Sequence, residues 1–270
     1  MLKDITIGQY IAGNSPIHKA DARLKLVLAL FMIILLFMIN KPVGYGVYVL
    51  FTFLCVFVTR IPLLYFLKGL KPMLFIILFT VVLNLFLTPG DAVLSFKIFA
   101  FTANITMQGI QMSIMMFLRL TLLVAVTSVL TLTTSPMQLT DAIEMLLKPL
   151  KIVKVPSHEI AMMMSIAIRF IPTFAEETDK IIKAQTARGA DFESGNIIMR
   201  AKAMIPLLVP LFVSAFRRAD ELATAMDARC YNGSGQRTRM KQMKMKAVDF
   251  KIITIFVIYT AVVLLLQFVL

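Results

Sequence analysis

Two arginines stand in matching triplets 41 residues apart, Ala187-Arg188-Gly189 and Ala228-Arg229-Cys230. Aligned as Glu176–Asp191 against Arg217–Asn232, the two segments share Asp179/Asp220, Ala184/Ala225, Ala187/Ala228 and Arg188/Arg229, with Ile181/Leu222 a near match. Helix-breaking residues follow each arginine: Gly189 in the first copy, Asn232-Gly233-Ser234-Gly235 in the second. An arginine in a last helical turn before glycine is ordinary C-capping, favoured by the macrodipole. Here each arginine also lies seven residues past an apolar position, Ile181 or Leu222, and so extends an apolar stripe. Small neighbours let such a tip approach another surface closely, and a planar five-donor guanidinium suits carboxylates on a partner. Repeated twice, the pattern reads as a two-pronged docking device.

Few other residues offer chemistry. The histidines are His18 and His158; His18 reads as a proton relay or as plain surface beside Lys19. His158-Glu159 lacks the second histidine of an H-E-x-x-H zinc site, because position 162 is methionine. Cys55 and Cys230 lie far apart in unlike contexts and imply neither a disulfide framework nor a metal site. Arg119 falls inside an apolar run, where it is either functional or snorkelling to an interface. Nowhere is a glycine followed by lysine, so the chain has no G-x-x-x-x-G-K phosphate loop and is no ATP-driven motor itself. The 19 methionines, Met162-Met163-Met164 among them, serve as packing filler or as an adaptable surface.

The elements that must carry these residues are membrane helices. Of 270 residues, 59% are hydrophobic and 16% charged, with a mean hydropathy of +0.84. A soluble domain carries about a quarter charged residues, so this balance excludes an ordinary cytosolic enzyme. Apolar runs of spanning length cover Leu24–Ile39, Val43–Thr59, Pro72–Thr88, Ile110–Leu132 and Ile252–Leu270. Leu63–Leu70, which holds Lys68 and Gly69, reads as interfacial. A net charge of +13 is explained by the positive-inside rule, without nucleic acid as a partner. Lys3, Lys19, Arg23 and Lys25 before the first run predict a cytoplasmic N-terminus, and five crossings put Leu270 outside. The N-terminus has no apolar core and no small-residue cleavage site, so no cleavable signal is expected.

Residues 133–251 carry 18 of the 28 basic residues yet keep apolar faces at Ile160–Ile171 and Met204–Phe216. Thr134-Ser135-Pro136 and Pro156-Ser157-His158-Glu159 read as helix starts. Residues 173–188 place Phe174, Thr178, Ile181, Ile182 and Gln185 on one face. A second helix over about 206–230 has the stripe Phe212, Phe216, Ala219, Ala223 and Met226. The expected fold is an all-α integral membrane protein of about five spans. Its parts are an N-terminal membrane domain over 1–132, a cytoplasmic-facing insertion of amphipathic coupling helices over 133–235, a basic loop over 236–251 and a final span over 252–270. The alternative is a secondary transporter or other polytopic permease, though such proteins place acids at the midplane and the five runs contain none.

The paired triplets, with Arg169-Phe170-Ile171-Pro172 before the first and Arg218-Ala219-Asp220-Glu221 before the second, resemble the transmembrane T component of energy-coupling factor (ECF) transporters, the prokaryotic vitamin and micronutrient importers. Residues Pro16–Lys25 are similar to that family's opening, with Ala22 where proline is usual, and Cys230 stands where glycine is common. The resemblance implies a non-enzymatic scaffold in the cell membrane. Ala187, Arg188, Gly189, Ala228, Arg229 and Cys230 would dock two cytoplasmic ABC-type ATPases, and other surfaces would hold one or more substrate-binding S components. ATP and magnesium would reside on the ATPases, leaving this chain without a cofactor.

Overall fold

The computed structural model describes residues 10–98, 101–149, 157–190, 192, 196–231 and 245–269. A short helix α1 (Pro16–Lys19) leads into α2 (Ala22–Met38) and α3 (Pro42–Thr59). Asp21 caps α2 by accepting from the Arg23 amide, while Lys41-Pro42 starts α3 with a proline at its first position. Next come α4 (Leu63–Leu70), a 3-10 turn at Lys71–Met73 and α5 (Leu74–Leu87). The segment after Pro89-Gly90-Asp91 forms an antiparallel hairpin, β1 (Ala92–Ile98) with β2 (Phe101–Thr106), pairing Ile98 with Phe101 and Ala92 with Thr106. No strand is predicted there by the span pattern. Helices α6 (Met107–Thr133), α7 (Pro136–Leu147), α8 (Ser157–Ala187), α9 (Ile197–Ala228) and α10 (Ala247–Val269) complete the chain.

The fold is that of an all-α integral membrane protein carrying one small hairpin. Among the described residues, four stretches are long and apolar enough to cross a bilayer: Pro42–Thr59, Leu63–Leu87, Met107–Thr133 and Ala247–Gln267. At 17 residues α2 is shorter than the ~20 a full crossing needs. Helix α10 starts earlier than the apolar run at Ile252 and brings Asp249 and Lys251 into its first turns.

The chain divides into two compact units, residues 1–7 with 143–242, and residues 8–142 with 243–270. In the second, α2, α3, α6 and α10 close around Met32, Leu35, Leu36, Tyr48, Leu122, Val126, Phe256, Tyr259 and Val263. Phe51 stacks on Tyr259 at 3.8 Å between ring centres, and the buried Tyr48 hydroxyl donates to the Met32 carbonyl at 3.0 Å. Lipid is as apolar as leucine, so close packing and such internal hydrogen bonds hold these helices together. The Lys25 ammonium donates to the Thr133 carbonyl at 2.9 Å, and fourteen residues along each helix Arg119 reaches the Ile39 carbonyl. Helix α2 and the second half of α6 therefore run side by side, and Met107–Leu118 continues about 18 Å past the end of α2. That extension packs on α5, where the Ser113 hydroxyl donates to the Val81 carbonyl at 3.0 Å. Gly109 permits the approach: a Cβ there would stand 3.1 Å from the Leu85 carbonyl oxygen. The outer face of α5 is bare, with Phe75 76% and Leu87 71% exposed.

Candidate functional site

The arginine triplets end α8 and α9, in the unit that spans 143–242. Both helices are longer than the sequence pattern predicts, because Pro172 in α8 and Pro206 and Pro210 in α9 are accommodated within them. The two C-termini are closed by the same hydrogen bonds. In α8 the Gly189 amide donates to the Thr186 carbonyl at 2.9 Å and the Ala190 amide to the Gln185 carbonyl at 3.0 Å. In α9 the Cys230 amide donates to Asp227 at 2.8 Å and the Tyr231 amide to Met226 at 3.0 Å. This pair of bonds is the Schellman motif, which requires a left-handed residue just past the helix. Gly189 supplies it with φ 89°, Cys230 with φ 55°. The triplet is thus a capping unit: alanine closes the last turn, arginine stands at the cap, and the third residue reverses the chain.

Both arginines are exposed, as are Ala187, Gly189, Ala228 and Cys230. Their charges project from the tips, beyond the stripes that pack. On α8 the half-buried side is the expected one, Phe174, Thr178, Ile181, Ile182 and Gln185. On α9 only part of the expected stripe, Ala219, Ala223 and Met226, lines a groove with α8. Phe212 and Phe216 are 60% and 69% exposed, whereas Ser214, Ala215, Arg218, Leu222 and Met226 turn toward α8. That groove, of about 450 Å³ between Phe170 and Phe174 of α8 and Leu222 and Met226 of α9, with Tyr231 just past its end, records the pairing. Alternation of apolar residues around α9 leaves both faces plausible by count, and only the partner helix selects one.

Sequence reasoning missed the polar contact between these helices. Glu177 accepts from the Ser214 hydroxyl at 2.5 Å through Oε1 and from Arg218 Nη2 at 3.1 Å through Oε2. The Ser214 hydrogen bond first, then the Arg218 charge, holds the Glu177 carboxyl below the ordinary carboxylate range, against partial desolvation. The Arg218 guanidinium also lies 5.9 Å over the Phe174 ring.

The remaining singled-out residues take structural positions. Arg119 donates from Nε to the Tyr45 hydroxyl at 3.0 Å and from Nη2 to the Ile39 carbonyl at 3.3 Å, with the Phe37 ring 5.6 Å away. It clamps the turn between α2 and α3. His18 is bonded on both ring nitrogens, Nδ1 to the Ser15 hydroxyl at 2.7 Å and Nε2 to the Ile11 carbonyl at 3.0 Å. Burial, assisted by the Lys25 charge, lowers its pKa, which the Ile11 hydrogen bond partly offsets. The Ile11 amide in turn donates to the Leu132 carbonyl at 3.0 Å, so His18 fastens an N-terminal strap to the end of α6. His158 begins α8, and Met163 and Met164 are 59% and 38% exposed. Asp249, fully buried, accepts from the Asp21 and Lys246 amides at 2.8 and 2.6 Å, joining the starts of α2 and α10. The basic run Arg237–Lys244 lies outside the described residues.

Comparison with known proteins gives a consistent result. A family model described as CbiQ, cobalt transport protein, matches residues 13–242. Over the whole length the chain is similar to the energy-coupling factor transporter transmembrane protein EcfT of Ruminiclostridium cellulolyticum, 55% identical across 100% of this chain and 99% of that one. The proteins of the same description from Clostridium kluyveri and Streptococcus thermophilus are 54% and 47% identical, covering 93% and 91% of this chain and 92% of each relative.

Proposed function

The chain belongs to the CbiQ, or cobalt transport protein, family, and on that premise we propose that it is the energy-coupling transmembrane subunit of an ECF transporter. It lies in a prokaryotic cell membrane with its N-terminus in the cytoplasm and its C-terminus outside. Arg188 and Arg229, at the tips of α8 and α9, dock two cytoplasmic ABC-type ATPases, while the membrane helices hold an S component that carries a vitamin or other micronutrient. ATP and its magnesium ion belong to the ATPases, and closure of that pair moves α8 and α9 to drive uptake. The chain itself makes and breaks no bonds.

The observation that carries this reading is the identical capping of two arginine-ended helices, with both guanidiniums left exposed. A cap serving its own helix needs no second copy. An arginine fixed at a rigid tip enters a carboxylate-lined groove with little side-chain ordering left to do. Bivalence multiplies the effective affinity of the two contacts.

The test is retention of the ATPases by affinity-tagged protein, run with an uptake assay. Losing one partner of a desolvated charge pair costs about 2–5 kcal/mol, so Arg188→Ala or Arg229→Ala alone weakens assembly or uptake. The double variant releases the ATPases, and Arg→Lys rescues poorly because an ammonium lacks the fork. Full assembly and full uptake by the double alanine variant would refute docking through these tips.

A further inference from the structure

The clasp between α8 and α9 joins matched positions of the repeat. Glu177 and Arg218 are 41 residues apart, the offset that also separates Arg188 from Arg229. Each tip arginine therefore stands 11 residues beyond its own clasp residue, about 16 Å at the helical rise. Phe170 and Phe174 line one groove with Leu222 and Met226, so moving back along α8 corresponds to moving forward along α9. The helices are antiparallel at the contact. Their arms leave it toward opposite sides, and the tips lie at most about 33 Å apart along the helix axes.

We propose that Glu177, gripping Ser214 and Arg218 together, is a positioning residue that sets the register of α8 on α9 and thereby holds the two arginine tips at equal reach from the crossing. The grip specifies register because Ser214 and Arg218 are one turn apart and take different oxygens of a single carboxylate. A slide of one turn puts one of the two in the other's place and leaves the second carboxylate oxygen without its partner. In one direction it also brings Glu221 and Leu222 to the place of Arg218, an acid or an apolar side chain against the Glu177 carboxylate. Stability alone is a weak reason for the pair. Side-chain exposures of 34% for Arg218 and 25% for Glu177 put it among contacts that add little to folding.

Spacing between the tips matters for transport only if they dock ATPases, so that arm of the test rests on the function proposed above; the spacing itself does not. Spin labels at Thr186 and Asp227, both exposed and each nine residues past its clasp residue, are at most about 27 Å apart along the axes. They are introduced with Cys55→Ala and Cys230→Gly into the full chain in lipid nanodiscs, and pulsed dipolar spectroscopy reads the distance. The native pair gives one narrow peak. Glu177→Ala and Arg218→Ala each broaden it or displace it by about 5 Å, one helical turn, and their combination does no more than either alone. Glu177→Gln, the mildest change, broadens the peak too, and the exchanged pair Glu177→Arg with Arg218→Glu narrows it again. In the assembled transporter the alanine variants keep their ATPases but lose about 5-fold or more in substrate moved per ATP hydrolysed. A peak unchanged from native in Glu177→Ala, or in Glu177→Gln where the alanine variant does not fold, overturns the proposal. If the native chain retains no ATPases the docking function fails instead, and the distances still decide what Glu177 does.

Discussion

Replacing Gly189 by alanine isolates the conformational cost of a helix tip, because a Cβ at this position meets nothing within 4 Å. Crowding contributes nothing, and the penalty comes from the backbone alone. At φ 89° an L-residue is held left-handed, which costs about 1–2 kcal/mol. That cost falls on the local equilibrium between the closed cap and a frayed one, weakening closure by roughly 5–30-fold. Cys230 offers the reverse experiment. It already holds φ 55° with a side chain, so Cys230→Gly relieves about 1–2 kcal/mol of conformational strain. Glycine's greater freedom when unfolded takes back about 0.5–1 kcal/mol, leaving a net gain of about 0.5–1 kcal/mol at the second tip. Hydrogen–deuterium exchange resolved to the amides of residues 189–190 and 230–231 reads both effects, since these are the amides that close the two caps. Gly189→Ala speeds exchange at the first tip and leaves the second unchanged; Cys230→Gly slows exchange at the second. Native-like exchange at residues 189–190 in Gly189→Ala would refute the assignment of the triplet's third position to chain reversal.

Arg119→Ala removes the donor to Tyr45 and Ile39, and hydrogen bonds to a charged group contribute about 1.5–3 kcal/mol. Its thermal midpoint in detergent should fall clearly, Arg119→Lys should recover little, and an unchanged midpoint refutes the clamp. Asp249→Asn turns an acceptor of two amides into a group with one acceptor and one misplaced donor, costing about 1–3 kcal/mol; the same thermal assay should detect it. His18 has a pKa lowered by folding, so the neutral ring favours the fastened strap. The contribution of the neutral ring to the strap is fully present above about pH 6.5 and declines as pH falls through the lowered value. Limited proteolysis across this range should cut residues 10–18 faster at low pH, and His18→Gln should flatten the dependence.

The arginine tips were legible because a residue type and a spacing recur, and recurrence survives ignorance of the fold. The reason for glycine in the triplet was not legible. Small size and a left-handed backbone predict the same residue, and Cys230 with φ 55° separates them. The stripe on α9 was right at Ala219, Ala223 and Met226, which line the groove with α8. It was wrong at Phe212 and Phe216, its strongest apolar signals, which are exposed while Ser214 and Arg218 make the polar contact. Polarity points such side chains outward by default, and only a partner such as Glu177 brings them in. Asp249 escaped for a similar reason: an apolar window beginning at Ile252 cannot know that the helix starts at Ala247 and that a buried acid fastens it. The hairpin had a signal, the alternating Phe101-Thr102-Ala103-Asn104-Ile105-Thr106 after a Pro-Gly-Asp turn, outweighed by the search for spans.

Helix α6, at 27 residues, measures about 40 Å, and its neighbour α2, at 17 residues, about 26 Å. A hydrocarbon layer of about 30 Å suits neither. Helix tilt or local bilayer deformation must therefore absorb the difference, α6 by tilting or by a thicker layer, α2 by a thinner layer where the α2–α3 turn presents Asn40 and Lys41. Such deformation costs fractions of a kcal/mol per ångström, small enough to be met by lipid choice as well as by strain. Arg119, near the middle of α6 by residue count, is level with the end of α2, where it donates to the Ile39 carbonyl. A short-chain bilayer should shelter this flank better than a long-chain one, making membrane thickness a variable that acts on the protein through α2 and α3.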